Sequence, residues 1–396
     1  MIYLDNAATT KPYPEVVTEV LPYLINAYGN PGSLHPLGIE AKKAVEHARE
    51  QVAKYIGAKP NQIFFTSGGT EANNMVFSML AGYLKVSELM VLTTRIEHES
   101  TLKAINRLKY KYGIGVRYLD VHMDGTVTYD KEIEQLIRDG KIGLLSMMAV
   151  NNETGFCLAD DLQFKRLKLM SPNESMLVHT DCVQAAGYEN IDVDWLGCDF
   201  MSISAHKIHG LKGAGCLYVR RNSPILDPLI LGGLDQERGL RGGTENVPGI
   251  VAFGKACEIL SDDSNRCAEE NWISLNNLSD SFRCDLERRL KANGVAYTIN
   301  SNTNKIINVR FDGVDAQTLV LMLASKGVCV SAGSACRSQE SEPSYVLQAL
   351  GLTADQARQS IRVSFSADNT QEELSKAAKI ITECVVSLLG KGEGDT

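Results

Sequence analysis

Residues 202–215, SISAHKIHGLKGAG, close an apolar run and break into glycines just after a lysine. Residues 200–204 predict a short buried strand, and a strand end is a costly place for a charge with no task. It makes sense where the amine of Lys207 reacts. Outward from this stretch, residues 62–66, 89–94, 115–119, 143–150 and 176–180 are further apolar strand candidates. Helical patterns alternate with them, at 40–56 with charges between its apolar positions and at 71–85. This alternation predicts an α/β domain around a mostly parallel sheet.

After Thr244 the texture changes. Residues 248–261 and 269–293 predict long helices. Short strands are expected at 305–311 and 328–331, with helices at 316–326, 344–350 and 371–389. The expected division is a large domain over residues 13–261, with residues 1–12 and 262–396 forming a smaller α+β domain.

The bulk composition narrows the function. With 396 residues, 44% of them hydrophobic and 22% charged, the chain has the make-up of a globular enzyme large enough for two domains. A net charge of −8 argues against nucleic acid as a direct ligand. No apolar run approaches the roughly 18 residues that span a membrane, and MIYLDNAATTKP lacks the basic and apolar regions of a signal peptide. Ten cysteines occur without a C-x-x-C pair or a zinc-like grouping with histidine. Most are expected to be buried, inert thiols, as is common in reducing compartments. Asn152, Asn173 and Asn277 open N-x-S/T sequons, which carry no weight without export. A cytoplasmic protein with no metal site is expected.

Three constellations carry chemistry. In Phe64–Asn73, FFTSGGTEAN, a strand ends in Ser-Gly-Gly-Thr and a helix begins. Its first backbone N–H groups can bind an anion, and Thr70 can add a hydroxyl. An N-cap turn explains the same residues when they are taken alone. In LVHTDCVQ, residues 177–184, Asp181 ends a strand where parallel folds bind ligands, although alone it could cap the next helix. Lys207 follows one strand–helix–strand unit later. A strand-end aspartate, a strand-end lysine and an anion-binding helix start together suit pyridoxal phosphate. The lysine forms the Schiff base, the aspartate keeps the pyridine nitrogen protonated and the helix start holds the phosphate. Ser204 and His206 flank the lysine and can also donate to the phosphate. His98, just past a strand in TTRIEHE, can stack on the ring or move protons near it. The third constellation is VSAGSACRS, residues 330–338. Cys336 sits among small, flexible residues with Arg337 beside it, a setting that favours a nucleophilic thiolate. Cys198 and Cys329 have the plainer setting of buried small residues.

These motifs resemble the pyridoxal-phosphate-dependent cysteine desulfurases of the NifS/IscS type, nearly end to end. The matching segments run in order: YLDNAATT (3–10), SGGTEANN (67–74), IEHES (96–100), VNNETG (150–155) and HTDCVQAAG (179–187). They continue with SAHKIHGLKG (204–213), RGGTENVPG (241–249), SAGSACRS (331–338), EPSYVLQALG (342–351) and SIRVS (360–364). The resemblance implies a fold-type I, aspartate aminotransferase-like homodimer. It implies that Lys207 holds the cofactor, that Asp181 pairs with the ring nitrogen and Gln184 with the phenolic oxygen. Gly69, Thr70, Ser204 and His206 would contact the phosphate, and Thr244 would reach the phosphate of the other subunit. Asn152 and Arg362 match positions that hold the α-carboxylate of the substrate, Arg362 in a bidentate pair. Cys336 matches the cysteine that accepts sulfur. Leu211 and Arg337 depart from the pattern, where a proline and a small hydroxyl residue are common.

The implied reaction turns L-cysteine into L-alanine and leaves a persulfide on Cys336. A partner protein then takes the sulfur for iron–sulfur cluster assembly, tRNA thiolation or DNA phosphorothioation. A selenocysteine lyase or another class V enzyme is the nearest alternative. A scaffold without catalysis is disfavoured by the intact set of Lys207, Asp181, His98 and Cys336.

Overall fold

The computed structural model describes residues 1–158, 161–224, 227–261, 268–303, 305–333 and 342–390. Cys336 and Arg337 therefore lie outside the described residues. The chain opens with a two-residue strand, β1 (Ile2–Tyr3), and two helices, α1 (Pro14–Ile25) and α2 (Pro36–Tyr55). Proline at the start of each helix suits a position whose N–H has no intrahelical partner.

The body of the fold is a sheet of eight strands among the described residues. In chain order these are β2 (Ile63–Thr66), β3 (Met90–Thr94), β4 (Val116–Val121), β5 (Val127–Thr128), β6 (Ile142–Ser146), β7 (Leu177–Asp181), β8 (Phe200–Ser204) and β9 (Gly215–Val219). Their spatial order is β2-β9-β8-β7-β6-β3-β4-β5. The run from β8 through β7, β6 and β3 to β4 is parallel, while β9 is antiparallel to both β2 and β8. Strands β2, β6, β8 and β9 are buried at every position, because helices cover both faces of the sheet. The intervening helices are α3 (Gly69–Val86), α4 (Glu99–Arg107), α5 (Lys131–Arg138), α6 (Asp161–Met170) and α7 (Val193–Leu196). The α/β architecture with a mostly parallel sheet is as expected.

One helix boundary and one strand boundary matter for the site. The helix expected at 71–85 begins two residues earlier, at Gly69, because Gly68 takes φ +150°, which only glycine tolerates without strain. The strand expected at 143–150 stops at Ser146. Beyond it, the Met148 N–H turns to the carboxylate of Glu97 at 2.9 Å instead of pairing in the ladder.

The rest of the chain begins with α8 (Val247–Ser261), which packs on α1 and α2, and α9 (Ala268–Ala292). Then come β10 (Tyr297–Asn302), β11 (Ile306–Phe311), α10 (Ala316–Ser325), β12 (Val328–Cys329), α11 (Tyr345–Ala349), α12 (Ala354–Arg358), β13 (Ser360–Ser364) and α13 (Gln371–Leu388). Strands β10, β11 and β13 form an antiparallel sheet, and α13 packs along α9. Thr353 and Thr370 start α12 and α13 with reciprocal capping boxes. The N-terminus joins this part of the molecule: Ile2 pairs with Val328, and Asp5 bridges to Ser364.

Candidate active site

The ends of β7 and β8, the head of α3 and the N-terminal segment enclose a cavity of about 180 Å³. Gly69, Thr70, His98, Asn152, Asp181, Gln184, Ser204, His206, Lys207 and Arg362 all line it, so the structure brings together ten of the residues singled out in the sequence. Thr244 does not line it and is exposed. A larger groove, of about 750 Å³, runs between the ends of α9 and α13, but the candidate catalytic groups do not converge there.

The anion-binding corner depends on close backbone approaches. A Cβ on Gly69 would lie 2.6 Å from Val183 Cγ2, and one on Gly215 would lie 2.7 Å from Gly68 Cα. Glycine at these points lets the head of α3 abut the ends of β7 and β9, with its first N–H groups open to the cavity. Glu71 braces the turn by accepting from the Ser67 N–H at 2.8 Å and from Arg241 Nε at 2.8 Å.

Asp181 is held from two sides. The Val183 N–H donates to Oδ1 at 2.9 Å, and Asn73 Nδ2 donates to Oδ2 at 2.7 Å. Asn73 Nδ2 also reaches Ser100 Oγ at 2.9 Å, and Ser100 Oγ lies 2.7 Å from His98 Nδ1. Since the Ser100 N–H donates to the same Nδ1, that nitrogen is an acceptor, and a neutral His98 carries its proton on Nε2. Burial lowers the pKa of His98, with Asp181 opposing and Lys207 reinforcing the shift. Burial, with Lys207 and Lys212, brings His206 down to about 4. His206 is therefore neutral at physiological pH.

Lys207 sits in a single 3₁₀ turn, Ala205–Lys207, directly after β8. Its amine donates to the carbonyls of Ala7 and Ala8. Gln184 Nε2 donates to Ala7 O at 2.8 Å, and the Thr10 N–H to His206 O at 2.9 Å. Residues 7–10 are thus clamped over the lysine turn. His209, at φ +65°, closes the clamp: its N–H donates to Thr10 Oγ1 at 2.8 Å and its ring stacks on Tyr13 at 4.1 Å.

At the other end of the cavity, Arg362 is fully buried. Its Nη1 donates to Asn152 O at 2.7 Å and its Nη2 to Asp5 Oδ1 at 2.8 Å. The Asp5 oxygen also accepts from Ser331 Oγ at 2.8 Å. On the far side of residues 334–341, Ser344 donates to the Glu153 carboxylate, and Tyr345 Oη donates to Glu97 O at 2.6 Å. Both described flanks of the cysteine segment are therefore tied to walls of the cavity. Cys182, Cys198, Cys216, Cys257 and Cys384 are buried, Cys329 is half-buried, and Cys157 and Cys284 are exposed. Burial raises the pKa values of Cys182 and Cys198, which keeps them thiols.

Four buried polar atoms on the cavity wall have no protein partner: Asn73 Oδ1, Asn152 Oδ1, Gln184 Oε1 and Arg362 Nε. Buried groups of this kind are normally satisfied, so they mark where a polar ligand completes the site. The head of α3, a fixed carboxylate and an amine lining one cavity fit pyridoxal phosphate. No local pattern gives Asn73, Asp5 or residues 7–10 a role of their own, although 3–10 and 67–74 carry motifs.

The aminotransferase class-V family matches residues 2–376. The chain is 38% identical over 390 residues to the cysteine desulfurase IscS of Dictyoglomus turgidum, covering 98% of this chain and 95% of that protein. Among solved structures, a NifS-like protein superposes with a TM-score of 0.85 at 36% identity, covering 96% of this chain and 98% of that one. SspA, solved in complex with cysteine, superposes with a TM-score of 0.75 at 30% identity, covering 93% of this chain and 100% of that one.

Proposed function

The chain belongs to the aminotransferase class-V family, and from that premise we propose how its pocket removes sulfur from L-cysteine. The enzyme is a pyridoxal-phosphate-dependent cysteine desulfurase of fold type I. The observation that carries the assignment of residues is the convergence of Lys207, Asp181 and the head of α3 on one cavity. When bound, the cofactor supplies an electron-withdrawing ring that stabilises negative charge at the substrate Cα.

Gly69, Thr70, Ser204 and His206 would hold the phosphate, Asp181 would pair with the ring nitrogen and Gln184 with the phenolic oxygen. Lys207 would carry the cofactor, and its free amine would take the Cα proton on Nζ. Neutral His98 would offer its Nε2–H as a proton donor within the same cavity. Arg362 and Asn152 orient the α-carboxylate, using the Arg362 Nε and the Asn152 amide that have no protein partner. The Cys336 thiolate would then attack the substrate sulfur: an S–S bond forms, the C–S bond breaks and its electron pair stays with the three-carbon fragment, which takes up a proton at Cβ and recovers one at Cα from Lys207 Nζ before leaving as L-alanine. Cys336 keeps the persulfide until an acceptor protein takes its outer sulfur. Iron–sulfur cluster assembly is the favoured destination, since the relatives carry the IscS name.

The active assembly is a homodimer. Exposed apolar side chains support this: Leu24, Tyr28 and Leu34 near α1, and Leu231 and Leu234 on the segment leading to Thr244. In that assembly Thr244, remote from its own cavity, serves the partner's phosphate. Among the described residues no helix is long and apolar enough to cross a membrane. The free thiols of the described cysteines fit a reducing cytoplasm.

Borohydride reduction of the purified yellow protein, followed by peptide mapping, tests the assignment. The cofactor is expected on Lys207, and Lys207→Ala should retain none covalently. Label on Lys212 or Lys305, or on no lysine, would overturn it.

A further inference from the structure

A second cavity, of about 30 Å³, also borders Lys207. Lys207 lines both cavities. The smaller one is also lined by Lys305, Tyr188, Tyr13 and His209, with no carboxylate among its described lining residues. Lys305 directly precedes β11 and is only 4% exposed, so it is a buried amine. It forms no ion pair among the described residues. Its Nζ lies 4.5 Å from the centroid of the Tyr188 ring and reaches Gln184 O at 3.5 Å, the outer limit of a hydrogen bond. The Tyr188 hydroxyl beside it is buried without a partner.

A cavity of about 30 Å³ lined by two amines and by no described carboxylate disfavours two full positive charges. We propose that Lys305 is a positioning residue for Lys207, and that the two amines share a single proton across their common cavity. This rests on the assignment of Lys207 as the cofactor lysine. While the cofactor occupies Lys207, Lys305 holds the charge as an ammonium. When substrate releases Lys207 as a free amine, the Lys305 ammonium disfavours protonation from solvent and keeps Lys207 a competent base. When Lys207 takes the Cα proton, the second charge drives the Lys305 proton out to bulk water, past the half-buried His209 that lines the same cavity.

The surroundings agree with this exchange. Burial, then Lys207, then Arg362 bring Lys305 down to about 7, with Glu189 opposing. The other groups facing the pair are His206 and Lys212 next to Lys207, His98 from the head of α4, and Asp181 at the end of β7. Asp5 stands against Arg362, whose charge it offsets. His206 and His98 are both pushed toward neutrality, so neither replaces Lys305 as the opposing charge.

The test follows the absorbance of the cofactor-loaded full-length enzyme against pH, in wild type, Lys305→Met and Lys305→Arg. Removing the charge should raise the pH at which the Lys207-bound chromophore loses its proton, by roughly one unit. A permanent charge in Lys305→Arg should lower it. A purely structural role predicts no shift, or shifts of the same sign, and either result overturns the proposal. Should Lys305→Met fail to fold, Lys305→Arg decides alone: an unchanged or raised midpoint overturns it. A parallel arm uses trace acetic anhydride on the cofactor-free chain, read peptide by peptide, to titrate Lys207 directly. Lys305→Met should again raise that midpoint. This arm decides the proposal even if no chromophore forms, an outcome that would instead refute the cofactor assignment.

Discussion

A single nitrogen, Asn73 Nδ2, donates to Asp181 Oδ2 at 2.7 Å and to Ser100 Oγ at 2.9 Å, linking the carboxylate to the histidine that Ser100 touches. Asn73 lies in the second turn of α3 and is 1% exposed. The same helix thus turns Gly69 and Thr70 at its head toward the cavity and fixes the Asp181 carboxylate one turn later. Asn73→Ala should leave Asp181 free to rotate and remove one bond to a charged group, worth about 2 kcal/mol. That corresponds to roughly 30-fold weaker cofactor binding, measured by titrating cofactor-free enzyme with pyridoxal phosphate. An unchanged dissociation constant would show that the Val183 N–H alone orients Asp181.

Glu97 makes a prediction about stability and pH. It is completely buried, accepting from Thr94 Oγ1 at 2.7 Å and from the Met148 N–H at 2.9 Å. Burial raises its pKa from 4.5 to about 8. Between those values the folded chain holds a proton that the unfolded chain has lost, so stability falls as pH rises through the window and levels off above it. Glu97→Gln keeps the acceptor for Met148, lets the Thr94 hydroxyl turn to accept, and removes the titration. The variant should match wild type near pH 4 and exceed it by a few kcal/mol, on the order of 3, at pH 8. Urea denaturation at the two pH values measures this. A difference that does not grow with pH would mean Glu97 titrates at an ordinary value.

The parts of the site carried by strand ends were legible in the sequence. Asp181 and Lys207 close short apolar runs, and Gly68 and Gly69 interrupt the junction of a strand and a helix. The supports were not legible as supports. Asp5 meets Arg362 across 357 residues and Ala7 meets Lys207 across 200, and no local pattern signals such a contact. The strand β13 was not expected from periodicity because a buried arginine, Arg362, interrupts its apolar residues. In β10, YTINSN, polar residues dilute the run, and Asn300 is buried by bonding Asn308 and Ser360 across the sheet. Burial of polar groups is decided by tertiary partners, which hydrophobic periodicity does not report.

The proposed role of Thr244 in the partner's site predicts complementation between two inactive variants. The segment before Thr244 is fastened to its own subunit: Glu237 binds Arg49 at 2.8 Å and accepts from the Phe65 N–H at 2.8 Å, while Arg241 binds Glu71. Thr244 itself remains exposed beyond these anchors. In mixed dimers of Thr244→Ala and Lys207→Ala, one site carries both defects and the other carries neither. Mixing the two after dissociation should restore part of the activity, up to about half per hybrid dimer. Hybrids that form, as seen by native mass spectrometry, yet stay inactive would remove Thr244 from the partner's site.

The sulfur-accepting step separates from the cofactor chemistry in Cys336→Ser. Lys207, Asp181, Asn152 and Arg362 are untouched in this variant, so it should bind pyridoxal phosphate and show the wild-type spectral change on addition of L-cysteine. Turnover should then fall by several orders of magnitude, because a hydroxyl is a far weaker nucleophile than a thiolate near neutral pH. With ³⁵S-labelled cysteine, wild type should hold label that dithiothreitol releases, and Cys336→Ser should hold none. L-selenocysteine gives a contrast, since its weaker C–Se bond makes residual activity higher than on cysteine. Cys329 is half-buried in β12 and does not line the cavity, although Ser331, two residues on, is tied to Asp5 and Arg362. Cys329→Ser should therefore retain wild-type labelling. Loss of label in Cys329→Ser together with full desulfuration by Cys336→Ser would move the nucleophile to Cys329.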